Sequence, residues 1–97
     1  MLQHHVFIKF VDGTSEAHIN ELCRRMEGLR ATVPGIEFLE IGRDALHEAR
    51  SWDLILNMRF ASVETLRTYQ QHPDHVELMK FNAPAVAQVG AVDFMVP

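Results

Sequence analysis

The sequence predicts an α+β domain in which a four-stranded antiparallel sheet carries its helices on one face. Two observations carry this. Four runs rich in β-branched, aromatic and aliphatic residues are interleaved with helical stretches in the order βαββαβ, with turn signals such as Val11-Asp12-Gly13 and Pro34-Gly35 between them. The second helical stretch contains Pro73, which divides it into two.

Leu2 to Phe10 reads as the first strand, with His4, Val6, Ile8 and Phe10 on one face and His5, Phe7 and Lys9 on the other. Thr14-Ser15 supplies an N-cap and Glu16 a first-turn negative charge. Ile19, Leu22, Cys23, Met26, Leu29 and Val33 then recur at helical spacing, and Glu21 and Arg25 form an i,i+4 pair on the wet side. Ile36 to Ile41 reads as the second strand, closed by Gly42, and Arg43 to Ser51 as a loop. In the third strand, Trp52 to Phe60, Leu54, Leu56, Met58 and Phe60 alternate with Asp53, Ile55, Asn57 and Arg59.

Ser62 caps the next helix, with Val63, Leu66 and Tyr69 facing inward. Pro73 fits best as the first residue of a new short helix, where its missing N–H costs nothing. The buried face of that helix is expected at Val76, Met79 and Phe81, and Val86 to Val96 reads as the fourth strand. The order is that of the ferredoxin-like split βαβ arrangement over residues 1–97, read as a single domain. Its second sheet face is bare. Phe7, Ile55 and Met95 are assigned to it, and burying it against a second copy predicts an isologous homodimer.

Composition narrows the function. The chain has 97 residues, of which 47% are hydrophobic, enough for one thin core with apolar surface left to share with a partner. The net charge is −4 and the basic residues are dispersed, which argues against a nucleic-acid or anionic-membrane partner. A single cysteine, Cys23, forms no internal disulfide, and the start of the chain carries no signal-like segment, so a reducing cytoplasmic setting is expected. Gly13, Gly35 and Gly42 are isolated turn glycines rather than a phosphate loop, and no cofactor is expected.

Several stretches, taken in order, have a familiar pattern. They are His4-His5-Val6-Phe7-Ile8-Lys9-Phe10, Val33-Pro34-Gly35-Ile36, Ile41-Gly42-Arg43, Trp52-Asp53-Leu54, Phe60-Ala61-Ser62-Val63-Glu64, Tyr69-Gln70-Gln71-His72-Pro73-Asp74-His75 and Val92-Asp93-Phe94. Together they resemble the stress-responsive A/B barrel (Dabb) domain family over essentially the whole chain, and the Y-x-x-H-P-x-H string is the most distinctive element. The resemblance implies a dimeric α/β barrel of two facing four-stranded sheets. It also implies a kinship with plant polyketide cyclases, whose contributing first-strand histidine, tyrosine and last H-P-x-H histidine fall on His4, Tyr69 and His75. That branch has a further pocket histidine where this chain has Leu54, which implies a less polar pocket here.

The residues themselves support two readings of His75 and Tyr69. In one, His75 is a general base that takes a proton alpha to a carbonyl, and the Tyr69 phenol bonds the imidazole or the developing enolate oxygen. In the other, both are satisfied core residues. His72 precedes Pro73, which restricts it to extended backbone suited to capping the new helix. His4 and His5 point to opposite faces, so only one of them reaches a pocket under the helices. The pocket is expected to include Val6, Leu54, Trp52 and His72 beside His4, Tyr69 and His75. A metal site built on His72 and His75 with His4 or Asp53 is the competing sharp reading; it lacks the usual closed four-ligand set. Cys23 and the methionines read as core filler, and His18 and His47 as exposed.

The function expected is therefore a homodimeric barrel with a small-molecule pocket in each subunit, performing cofactor-independent acid/base chemistry, of a lyase or cyclase kind, on a carbonyl or polyketide-like substrate. The alternatives are a non-catalytic ligand-binding or stress-response dimer and, by fold analogy alone, a cofactor-free monooxygenase.

Overall fold

A computed structural model describes residues 1–97. The elements run β1 (Leu2–Phe10), α1 (Glu16–Thr32), β2 (Phe38–Arg43), β3 (Leu54–Phe60), α2 (Val63–Gln71), α3 (Pro73–Asn82), a 3₁₀ turn (Ala83–Ala85) and β4 (Val86–Met95). The four strands form one antiparallel sheet in the order β2-β3-β1-β4. This is the ferredoxin-like α+β arrangement. Local chemistry sets the helix boundaries: the Ser15 and Ser62 side chains accept from His18 N and Thr65 N, and Pro73 opens α3. The loop before β3 is shifted from the expected Arg43–Ser51 to residues 44–53, because β2 runs from Phe38 to Arg43 and Trp52 and Asp53 fall outside β3.

The core lies between the helices and one face of the sheet. Leu2, Ile8 and Phe10 of β1, Leu54, Leu56, Met58 and Phe60 of β3, and Leu22, Met26 and Leu29 of α1 are all buried there. Val76 and Met79, expected on the buried face of α3, are exposed, and Leu78 and Asn82 are buried instead. The helix is rotated because its flank packs against α1 and α2. The expected Glu21–Arg25 pair forms at 3.5 Å, and Arg24 grips the same carboxylate more closely, at 2.7 Å.

Register assigns the two faces of β4. Leu2 pairs with Met95, His4 with Asp93, Val6 with Ala91 and Ile8 with Val89, so these β4 residues share the helix-side face. All four are exposed, since no helix covers this edge strand. Met95 is thus displaced from the bare face where the sequence reading put it. That face instead carries Phe7, Ile55, Val92 and Phe94, with Trp52 packed against Phe7 at 5.9 Å between ring centroids. Asn57 Oδ1, also on this face, is buried without a hydrogen-bond partner.

Candidate active site

The uncovered flank of β4 opens a cavity of about 560 Å³ between α3 and the helix-side face of the sheet. Its size suits a small organic ligand. Eleven of its fifteen lining residues are hydrophobic, among them Val6, Ile8, Leu56 and Leu78. The other four are His4, Gln70, His75 and Asn82, and the Tyr69 hydroxyl adds a further polar group.

Each polar group is held by its neighbours. Alternation along β1 puts His4 beneath the helices, 6% exposed, and the pairing of β1 with β4 brings Asp93 alongside it. The Asp93 carboxylate bonds His4 Nδ1, which fixes the ring and leaves Nε2 as its other polar atom. Phe60 meets the same imidazole edge-on at 6.3 Å. His75 sits in the first turn of α3, and its Nδ1 bonds the Gln70 carbonyl at 2.9 Å. A carbonyl only accepts, so Nδ1 carries the proton and Nε2 keeps the lone pair. Burial lowers the His75 pKa below its ordinary value, the Gln70 bond pulls it back up, and charge on His4 lowers it further. The ring is therefore neutral and basic at Nε2 under ordinary conditions.

Tyr69 reaches the same space from the last turns of α2, its ring 4.5 Å from the His75 ring and 5.2 Å from Phe60. No hydrogen bond joins the two side chains, and the phenol is open to the cavity rather than sealed. Burial pushes its pKa up to about 12, so it acts as a donor, never as a base, near neutrality. This has a measurable consequence. Unfolded tyrosine ionises near 10, and stability that depends on the neutral phenol is lost as pH rises from about 10 to about 12. The wild type should lose on the order of 2–3 kcal/mol more across that window than Tyr69→Phe. Urea denaturation at stepped pH would measure the difference.

Of the residues assigned to the pocket from sequence, His4, Val6, Tyr69 and His75 line one cavity. Leu54, Trp52 and His72 do not. Leu54 is sealed in the core at 2% exposure, so its side chain neither adds to nor withholds a polar group from the cavity. Asp53 donates its backbone N–H to Ile8 and accepts from Phe10 N through its carboxylate, and the chain turns there, so Trp52 leaves the helix side and packs on Phe7 and over Gly90. His72 caps α3, its Nδ1 accepting from Asp74 N at 3.1 Å. Nowhere do three His, Cys, Asp or Glu side chains come together as a metal centre needs.

Sequence reasoning missed Asp93, Asn82 and His18. Asp93 was visible only within the Val92-Asp93-Phe94 string, and its partner depends on register. His18 is half-buried rather than exposed: it stacks on Phe81 at 4.6 Å and bonds Asn82 Oδ1 at 2.9 Å.

The comparisons agree with this architecture. Olivetolic acid cyclase of Cannabis sativa is 29% identical over 77 residues, spanning 77% of this chain and 76% of that protein. A dimeric ferredoxin-like protein of Thermobifida fusca superposes with a TM-score of 0.88 at 23% identity, covering 98% of this chain and 90% of that one. The hydroxynitrile lyase of Passiflora edulis superposes with a TM-score of 0.87 at 18% identity, covering 99% and 93%. The family model of the stress responsive A/B barrel domain matches residues 2–96, and the chain belongs to that family.

Proposed function

We propose that this chain is a homodimeric, cofactor-independent enzyme that removes a proton alpha to the carbonyl of a small ligand. The observation that carries the reading is the pairing of a basic His75 Nε2 with an unpartnered Tyr69 hydroxyl in one largely apolar cavity. His75 takes the α-proton, and its Nδ1–H bond to Gln70 stabilises the imidazolium that forms. Tyr69 donates to the oxygen on which negative charge develops, in surroundings where a hydrogen bond is worth more than in water. His4, fixed by Asp93, adds a second orienting group at the same cavity. The names of two relatives, a cyclase and a hydroxynitrile lyase, support a carbonyl-centred reading.

The test requires no knowledge of the natural substrate. Phenylacetone in D2O should exchange its α-protons faster with the protein than with an equal concentration of free imidazole, as followed by proton NMR. Exchange no faster than with imidazole contradicts the enzymatic reading and leaves a ligand-binding protein.

Dimerisation through the bare sheet face is part of the same reading. Phe7, Ile55, Val92 and Phe94 form an apolar surface there, and a partner sheet would also meet the orphaned Asn57 acceptor. The Thermobifida relative is likewise dimeric. Light scattering should give twice the 11.1 kDa chain mass at micromolar concentration, and Phe7→Asp should reduce it to one chain. A monomeric wild type contradicts this.

A further inference from the structure

We propose that Asn82 is a ligand-orienting residue, held by His18, that donates a hydrogen bond to an uncharged acceptor oxygen and makes the cavity selective for neutral carbonyl compounds. The proposal rests on the cavity reading above and goes beyond its acid/base pair. Asn82 ends α3 with its side chain in the cavity wall and only 2% of the residue exposed. Its Oδ1 accepts from His18 Nε2 at 2.9 Å, which leaves the two Nδ2 protons without a protein partner. That nitrogen is not sealed off, so its donors open on the cavity that the residue lines.

A buried amide left half-satisfied costs free energy unless something else accepts from it. His18 fixes the amide's orientation from outside. It belongs to α1 rather than the cavity wall, and its ring stacks on Phe81, whose own ring is held by the Arg25 guanidinium 4.0 Å from its centroid. The charge of the ligand follows from what the wall lacks. No Lys, Arg, Asp or Glu side chain lines the cavity, and the one nearby carboxylate, Asp93, is committed to His4. A ligand carboxylate would be desolvated there, and, with His75 neutral, the one wall group able to carry positive charge, His4, is already paired with Asp93, whereas a ketone or ester oxygen loses little and gains the Asn82 N–H.

The experiment measures binding of phenylacetone, propylbenzene and phenylacetate by calorimetry to the wild type, Asn82→Leu and His18→Phe. Wild-type protein should prefer phenylacetone over propylbenzene at least roughly five- to tenfold, since the one ketone oxygen accepts from Asn82 as well as from Tyr69 and each neutral hydrogen bond is worth about that much. It should bind phenylacetate at least about tenfold more weakly than phenylacetone. Asn82→Leu should cut the ketone preference severalfold while keeping affinity for propylbenzene. His18→Phe retains the stack on Phe81 and leaves the cavity wall intact. It should cut the same preference in part, an effect that a purely structural role for His18 would not produce, and it decides the matter if Asn82→Leu fails to fold. An unchanged preference in a folded Asn82→Leu, or in His18→Phe when that variant alone folds, overturns the inference. So does phenylacetate binding as tightly as the ketone. Uptake of none of the three probes contradicts the cavity reading itself, and this inference with it.

Discussion

Replacing His75 by alanine should lower α-proton exchange of phenylacetone by at least about a hundredfold while leaving the fold and the oligomer intact. The substitution removes the group carrying the free lone pair, and the rest of the imidazole's contacts are modest. His75 is half-buried, bonds one backbone carbonyl and touches the Tyr69 ring. A small loss of stability is therefore expected beside a large loss of rate. The wild-type rate should also fall on the acid side, because protonated His75 cannot accept. Burial lowers its pKa, so the acid limb should lie below about 6.5, the ordinary histidine value. Stability follows the same sign. The unfolded chain gains its proton first, and the folded state loses ground as pH falls below that value. A His75→Ala protein with full exchange activity would remove His75 from the reaction.

Phe60→Ala is expected to give the largest stability effect, about 3–5 kcal/mol, read from the urea midpoint. Phe60 is completely buried, at the end of β3, with Tyr69 on one side and His4 on the other. Its removal leaves a cavity that surrounding strands close only in part, in a domain whose total stability is of the order of 5–15 kcal/mol. The same ring supports two of the polar groups at the site, so activity should fall at temperatures where the variant is still folded. Phe60→Leu keeps most of the volume and should cost less, roughly 1–2 kcal/mol. Equal losses in the two variants would mean that the aromatic volume is not what β3 and α2 pack on.

Local chemistry made most of the fold legible. Period-2 alternation separated Leu54, Leu56, Met58 and Phe60 from the residues between them, and Ser15, Ser62 and Pro73 fixed three helix starts without reference to any tertiary contact. Features that depend on how elements meet were not legible. Met95 was assigned to the wrong face because the sequence does not show which β4 residue stands opposite Leu2. For α3, helical spacing allowed Val76 and Met79 to be the buried positions, but packing against α1 and α2 selected Leu78 and Asn82. Trp52 has the parity of Leu54, yet the chain leaves the ladder at Asp53 and the parity argument ends there.

The site divides along the same line. His4 could be read from strand alternation, and Tyr69 and His75 from chemistry concentrated around one proline. His72, the nearer histidine to that proline, caps α3 and stays outside the cavity. The supporting residues are long-range partners: Asp93 reaches His4 from 89 positions away and Asn82 reaches His18 from 64. No local pattern marks either pair. The sheet register and the α1–α3 contact create them.

The proposed reaction depends on His75 presenting a neutral, basic Nε2 to an open cavity. NMR of 15N-labelled histidine, titrated with and without phenylacetone, tests it most directly. The expected result is the Nδ1–H form of His75, a midpoint below about 6.5 and a shift of its Nε2 resonance on adding the ketone. A midpoint at or above that value, or an Nε2 signal indifferent to the ketone, would contradict it.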